Sequence, residues 1–251
     1  VAVADRLDLT LRLVRGAERI SLNELADRLG VSLMTVRRDL DELQAQGLVR
    51  RVRGGAVSLA APAEEAGFTA RQQWRAATKH RIGVTAAGLI EPGMTVLLDA
   101  GTTTAALAPS LPTPLTVAVL GLQAADQLAD RPGIRLLVLG GESRPGERSL
   151  VGHLTLRMLE ELWFDRFLMS IGAVHSGLGW SEFSSDDATV KQHARCRADR
   201  TIVVADSSKL GVRAFVRVAG LADVDTFVTD DPGPDETLDA IRDTSVEVVT
   251  T

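Results

Sequence analysis

SLNELADRLGVSLMTVRRDLDELQAQGLVRRVRGGAV, residues 21–57, decides how the first part of this chain is read. Ser21 and Glu24 stand three apart, the spacing of a capping box, and Leu22, Leu25, Ala26 and Leu29 then share one helical face. Gly30 ends that helix, and Ser32 is placed to cap a second one, SLMTVRRDLDELQAQ, which stops at Gly47. Two short helices joined by Leu29-Gly30-Val31-Ser32 have the length and the glycine of a helix-turn-helix corner. At about 100° per residue, Val36, Leu40 and Leu43 share a narrow arc with Leu33 beside them, so this arc is the expected core face. Met34, Thr35 and Arg38 then point away from the core, Arg37 flanks it, and Asp41 and Glu42 fall toward the far end. Ser32, Met34, Thr35, Arg37 and Arg38 therefore suit a recognition helix whose first half enters the major groove of DNA, where Arg pairs with guanine or grips phosphate.

Outward from that stretch, Leu7, Leu11 and Val14 have helical spacing until Gly16 interrupts it, giving a first helix of about three turns. On the other side, Leu48 to Arg53 and Ala56 to Leu59 are two strand-like runs around Gly54-Gly55. A basic hairpin directly after a recognition helix is a wing, and Arg51, Arg53 and Gly54 are its candidates for contact with the DNA backbone or minor groove. Residues 1 to 58 hold ten Arg against eight acidic residues, and the rest holds 18 basic against 25 acidic, so the net charge of -5 divides into +2 and -7.

No stretch approaches the roughly 20 apolar residues of a membrane span. Asp5, Arg6, Asp8 and Arg12 break up the run that a signal peptide needs, and Cys196 is the only cysteine. These features predict a cytoplasmic protein without disulfides.

SLAAPAEEAG, from residue 58, reads as a connector, and a helical stretch runs from Phe68 to Leu89. From there TVLLDA (95–100), LTVAVL (115–120), IRLLVLG (134–140), FDRFLMSIG (164–172), TIVVADSS (201–208), DTFVTD (225–230) and SVEVVT (245–250) alternate with helix-compatible segments. That pattern predicts a largely parallel sheet covered on both faces. The expected fold is α/β: a winged helix-turn-helix over residues 1–57, a linker and connecting helix over 58–78, and a larger, mostly parallel-sheet domain over 79–251.

Ligands of such sheets bind beyond the carboxyl ends of the strands. Asp99, Gly101, Thr102, Thr103 and Thr104 follow the first strand and open a helix, offering hydroxyls and backbone N–H groups to an anion. Gly140 and Gly141 end a later strand, Ser170 to Gly172 end another, and Asp206-Ser207-Ser208-Lys209 follow a fourth. Lys79, Lys191 and Lys209 are the only lysines among 28 basic residues, so the chain prefers Arg wherever either serves. His80, His153, His175 and His193 lack metal-ligand spacing, and neither a metal nor another cofactor is expected.

Leu25-Ala26 through Val31-Ser32, Thr35-Val36-Arg37-Arg38-Asp39-Leu40, and Arg51 through Gly54-Gly55-Ala56 resemble the DeoR family of bacterial transcriptional regulators. Arg53 departs from it, standing where the family commonly carries His. The second half resembles the DeoR sensor domain, related in fold to ribose-5-phosphate isomerase and the sugar-phosphate deaminases. The likeness runs through Lys79 with Ile82, Asp99 and Gly101 to Thr104, Gly140-Gly141 with Arg144, Gly152, Asp165, Gly172, Lys191, and Asp206 to Lys209. It implies an operator-binding homo-oligomer, dimer or tetramer, whose effector is a phosphorylated sugar or polyol held by Asp99, Gly101 to Thr104, Gly140, Gly141, Arg144, Ser170, Gly172, Lys191 and Lys209. Val119-Leu120 replaces a polar pair of the family, and Trp180 and Phe183 imply a narrower, more apolar pocket. The alternative is an isomerase or deaminase with an attached DNA-binding module. Against an enzyme, strand-end acid/base candidates are limited to Asp99, Asp206 and the Asp186-Asp187 pair.

Overall fold

A computed structural model describes residues 3–15, 17, 19–45, 48–58 and 67–251. Gly16, Gly47 and most of the 58–67 connector, which the sequence assigns to helix ends and linker, lie outside the described residues. The chain divides by its contacts into Val1–Trp74 and Arg75–Thr251.

In the first unit, α1 (Val3–Arg15), β1 (Ile20–Ser21), α2 (Leu22–Leu29), α3 (Leu33–Ala45), β2 (Val49–Val52) and β3 (Gly55–Ser58) precede a short α4 (Phe68–Gln73). The Ser21 hydroxyl accepts the Glu24 N–H at 3.1 Å and caps α2, as the spacing predicts. Gly30 ends the helix at φ +64, a left-handed conformation open to a residue without a Cβ. Leu11, Val14, Ile20, Leu25, Val36, Leu40 and Leu43 form the core. Leu33 is a correction: it lies next to that arc in angle but is 42% exposed and stands outside this core, at the first residue of the helix. The hairpin is a second one. Its turn is Arg53-Gly54, since Val52 pairs with Gly55, and β1 adds a third strand beside β3 that the sequence does not announce. Gly55 serves that added strand, for a Cβ there would stand 2.1 Å from the Ile20 carbonyl oxygen.

The second unit contains α5 (Ala76–Ala87), β4 (Thr95–Leu98), α6 (Thr102–Leu107), β5 (Leu115–Val119), α7 (Leu122–Leu128), β6 (Ile134–Val138), β7 (Glu142–Ser143), β8 (Leu150–Val151), α8 (His153–Glu160) and β9 (Phe164–Ser170). It continues through β10 (Ala173–His175), β11 (Gly179–Glu182), α9 (Ser185–Arg195), β12 (Ala198–Val204), β13 (Val216–Ala219), β14 (Thr226–Thr229), α10 (Glu236–Arg242) and β15 (Glu247–Thr250). The seven strands expected from the apolar runs make one seven-stranded sheet in the order β15-β14-β12-β9-β4-β5-β6, with every pairing parallel.

Side-chain alternation divides the core in two. Leu97, Ala118, Phe167, Met169, Val203 and Phe227 pack on one face with residues of α8, α9 and α10. Their neighbours Val96, Leu98, Val117, Val119, Leu168, Ile202, Val204 and Val228 pack on the other with α5, α6 and α7. Both faces being buried, the strands lack the polar alternation of a half-exposed sheet.

Two further expectations need correction. The helical stretch from Phe68 to Leu89 is interrupted: α4 ends before Trp74, and Arg75 adopts φ +54, ψ +34 before α5 begins. Trp180 does not line a pocket. It is fully buried, edge-on to Phe227 with ring centroids 5.1 Å apart, and its Nε1 donates to the Leu221 carbonyl at 3.1 Å. It belongs to a small antiparallel sheet, β10-β11-β13, whose strands are too short and glycine-flanked to stand out in the sequence.

Candidate DNA-binding and effector sites

In α3, Met34, Arg37 and Arg38 are exposed while Val36, Leu40 and Leu43 are inaccessible. Ser32 and Thr35 are engaged with each other: the Ser32 hydroxyl accepts the Thr35 N–H at 3.2 Å, and their hydroxyl oxygens are 2.9 Å apart. They therefore hold the start of the helix. Asp39, which lies between the exposed arginines and the core, is almost buried and receives Arg6 of α1 through two bonds, Nε–Oδ2 at 2.7 Å and Nη2–Oδ1 at 2.9 Å. This fork fixes α1 across α3, a role for Asp39 that spacing alone does not announce.

The wing leans on the far half of α3. Arg51 pairs with Asp41 and its N–H donates to Gln44 Oε1 at 2.9 Å, so its charge is partly spent within the domain. Arg50, Arg53 and Gly54 are exposed. Arg19 Nη2 donates to the Arg53 carbonyl at 2.9 Å and braces the turn.

At the carboxyl edge of the large sheet, strand ends place Asp99 after β4, Ser170 at the end of β9, Asp206 after β12 and Asp230 after β14. Lys191 of α9 reaches in among them, 3% exposed. Its Nζ stands 2.5 Å from Asp99 Oδ2, 2.9 Å from Glu182 Oε1 and 2.8 Å from the Ser170 carbonyl oxygen. Burial alone would push its pKa down; Asp99 and Glu182 more than reverse that and hold the ammonium above the ordinary lysine range. Ser170 donates its hydroxyl to Asp99 Oδ2 at 2.7 Å, and Gly172 N–H donates to Glu182 Oε1 at 2.9 Å. Gly101 permits this closeness, since a Cβ there would be 2.3 Å from Ser170 Oγ.

Asp99, Gly101, Ser170, Gly172 and Lys191 are thus gathered, as the sequence expects them to be near one another. Arg144 joins through its ion pair with Asp187 of α9, whose charge also acts on Lys191. Thr102 and Thr103 are nearly buried, while Thr104 is spent inward, its hydroxyl donating to the Asp99 carbonyl at 2.9 Å. Gly140 and Gly141 stand apart, against α8, where the Thr155 hydroxyl donates to the Gly140 carbonyl at 2.6 Å.

A second cluster surrounds Lys209. Arg75 donates to Asp206 Oδ1 at 3.0 Å, to Ser207 Oγ at 2.9 Å and to Asp230 Oδ2 at 2.5 Å. Burial pushes the Asp206 carboxyl up, and the charges of Lys79, Arg75 and Lys209 more than reverse it, holding the group well below the usual carboxylate range. Arg75, Lys79 and Lys209 thus act together on Asp206, and Asp230 joins through Arg75. Because Val204 of β12 pairs with Ser170 of β9, the two clusters sit on adjacent strand ends. All three lysines of the chain are in them. Arg75, Glu182 and Asp230 escape the sequence reading, and Asp187 enters it only as half of an acidic pair; Glu182, a carboxylate between Trp180 and Phe183, has a visible signal.

Since Asp206 has a depressed folded pKa, the stability it contributes is complete above its unfolded value of about 3.9 and is lost as pH falls below that. Asp206→Asn is expected to destabilise the protein at pH 7 and to narrow its gap to the parent between about pH 4 and pH 2. Urea unfolding across that range checks this; parallel curves would contradict it.

Among the described residues no group of three or more His, Cys, Asp or Glu is placed to hold a metal ion, and no helix is long and apolar enough to cross a membrane.

The family model for the DeoR-like helix-turn-helix domain matches residues 6–61, and that for the DeoR C terminal sensor domain matches residues 74–231. The chain belongs to the DeoR family. As a DeoR-family protein it is a DNA-binding transcriptional regulator. It is 33% identical over 227 residues to the HTH-type transcriptional repressor GlcR of Bacillus subtilis, covering 90% of this chain and 88% of that one. It is 28% identical over 240 residues to the glycerol-3-phosphate regulon repressor of Escherichia coli, covering 95% of each. Among solved structures, ribose 5-phosphate isomerase A of Methanocaldococcus jannaschii aligns over 53% of each chain at 17% identity and a TM-score of 0.38.

Proposed function

We propose that this DeoR-family regulator is a cytoplasmic, homo-oligomeric repressor of carbohydrate-metabolism genes that binds its operator through α3 and the wing and senses a phosphorylated sugar or polyol. The observation that carries the effector reading is the convergence of Arg75, Lys79 and Lys209 on Asp206 and Asp230, beside the Asp99–Lys191 cluster at the carboxyl edge of a parallel sheet. A dianion entering there meets three cationic side chains in a low-dielectric setting, with the buried Ser207 and Ser208 nearby. Paired recognition helices suit paired half-sites, which supports an oligomer. The effector acts by binding one of two DNA-affinity states more tightly than the other.

The test is thermal denaturation of the full chain with a panel of phosphorylated sugars and polyols, each beside its unphosphorylated parent and inorganic phosphate. A ligand at a hundred times its Kd stabilises the native state by about 2.7 kcal/mol. One phosphorylated compound is expected to raise Tm and to alter operator affinity, with both effects weakened in Lys209→Ala. Equal stabilisation by the unphosphorylated parent sinks the reading.

A further inference from the structure

Leu33 and Met34 are consecutive, 42% and 57% exposed, at the leading end of α3. Neither side chain belongs to the core of this domain, which closes on Val36, Leu40 and Leu43. Their surroundings are cationic. Arg37 is four residues after Leu33 and three after Met34, and Arg38 is four after Met34, so each apolar side chain has an exposed guanidinium as its neighbour on the helix. Thr35 and Ser32, the nearest hydroxyls, are turned to each other. The tip therefore offers hydrocarbon with flanking positive charge and little polar readout of its own.

Duplex DNA is the partner that matches both halves of that description. Its phosphates meet the arginines, and its major groove displays one apolar group, the C5 methyl of thymine. We propose that Leu33 and Met34 make this regulator select operators with thymine methyl groups at the positions facing the start of α3. This rests on the reading of α3 as the recognition helix. Four residues of helix advance about 6 Å and one base pair about 3.4 Å, so the selected thymines fall about two base pairs from those facing Arg37 and Arg38.

The experiment uses the full chain and duplexes it selects from a random pool. Each thymine is replaced in turn by deoxyuracil, which deletes the methyl and keeps the base pair. One or two replacements per half-site are expected to weaken the parent protein by about fourfold each, as burial of one methyl predicts. The Leu33→Ala/Met34→Ala variant is expected to bind the thymine and deoxyuracil duplexes alike, with an unchanged melting temperature because both side chains are exposed. If no deoxyuracil affects the parent while Arg37→Ala/Arg38→Ala loses binding, the thymine proposal falls and the recognition helix stands. If the arginine variant binds as the parent does, α3 is not the reading element, and both fall.

Discussion

Replacing Lys191 with methionine will lower the stability of the sensor unit by about 3–5 kcal/mol, the usual cost of removing one partner from a buried ion pair. The reason is the geometry of what remains. Asp99 and Glu182 are 3% and 7% exposed, and with the ammonium gone they face each other's charge across the space that Nζ occupied. Ser170 loses a donor to its carbonyl as well. For a unit of this size about 2–4 °C accompany each kcal/mol, so the melting temperature should fall by roughly 10 °C. The triple variant Asp99→Asn/Glu182→Gln/Lys191→Met removes the stranded charges along with the lysine and should recover much of the loss. Differential scanning calorimetry decides: a drop under about 1 kcal/mol for the single variant, within the range of a surface change, would mean that the ammonium is solvated after all.

Arg37→Ala/Arg38→Ala will reduce operator affinity by about 2–6 kcal/mol if each arginine makes a bidentate contact worth about 1–3 kcal/mol. That corresponds to between about thirtyfold and twenty-thousandfold at fixed salt. Both residues are exposed and neither holds the core, so folding should be untouched. Salt titration separates their roles. An arginine on phosphate, once removed, flattens the log–log salt slope by about one and weakens all sequences alike, whereas one on guanine relaxes the preference at a single position. Retention of parental affinity and slope would exclude this face from the interface.

Legibility of the chain varied with how far each residue's environment depends on its own neighbours in sequence. Seven parallel strands were visible because burial on both faces makes each of them an apolar run, as in VLL at 96–98 and IVV at 202–204. The corner before α3 was visible because Ser21, Gly30 and Ser32 act on backbone within a few residues of themselves. Leu33 departs from its expected place because helical periodicity gives an angle around the axis and says nothing of whether another element covers that end. Trp180 departs for a related reason: its partner Phe227 lies 47 positions later, on a strand whose place beside β12 is a matter of topology. Site residues at strand ends were legible as a set, since the carboxyl edge collects them. Their ion pairs were not. Nothing near Arg75 in the sequence announces Asp206 or Asp230, more than 130 residues on.

Arg75 also has a mechanical consequence. It is the first residue of the sensor unit, set in a left-handed bend, and its guanidinium is tied to the carboxylates that follow β12 and β14. Its carbonyl also accepts the Lys79 N–H at 3.0 Å, so a pull arriving along the chain from the N-terminal side is shared between the ion pairs to two strand ends and the first hydrogen bond of α5. The tether of this sensor is thus fastened to the carboxyl edge of the sheet, the rim at which the lysines lie.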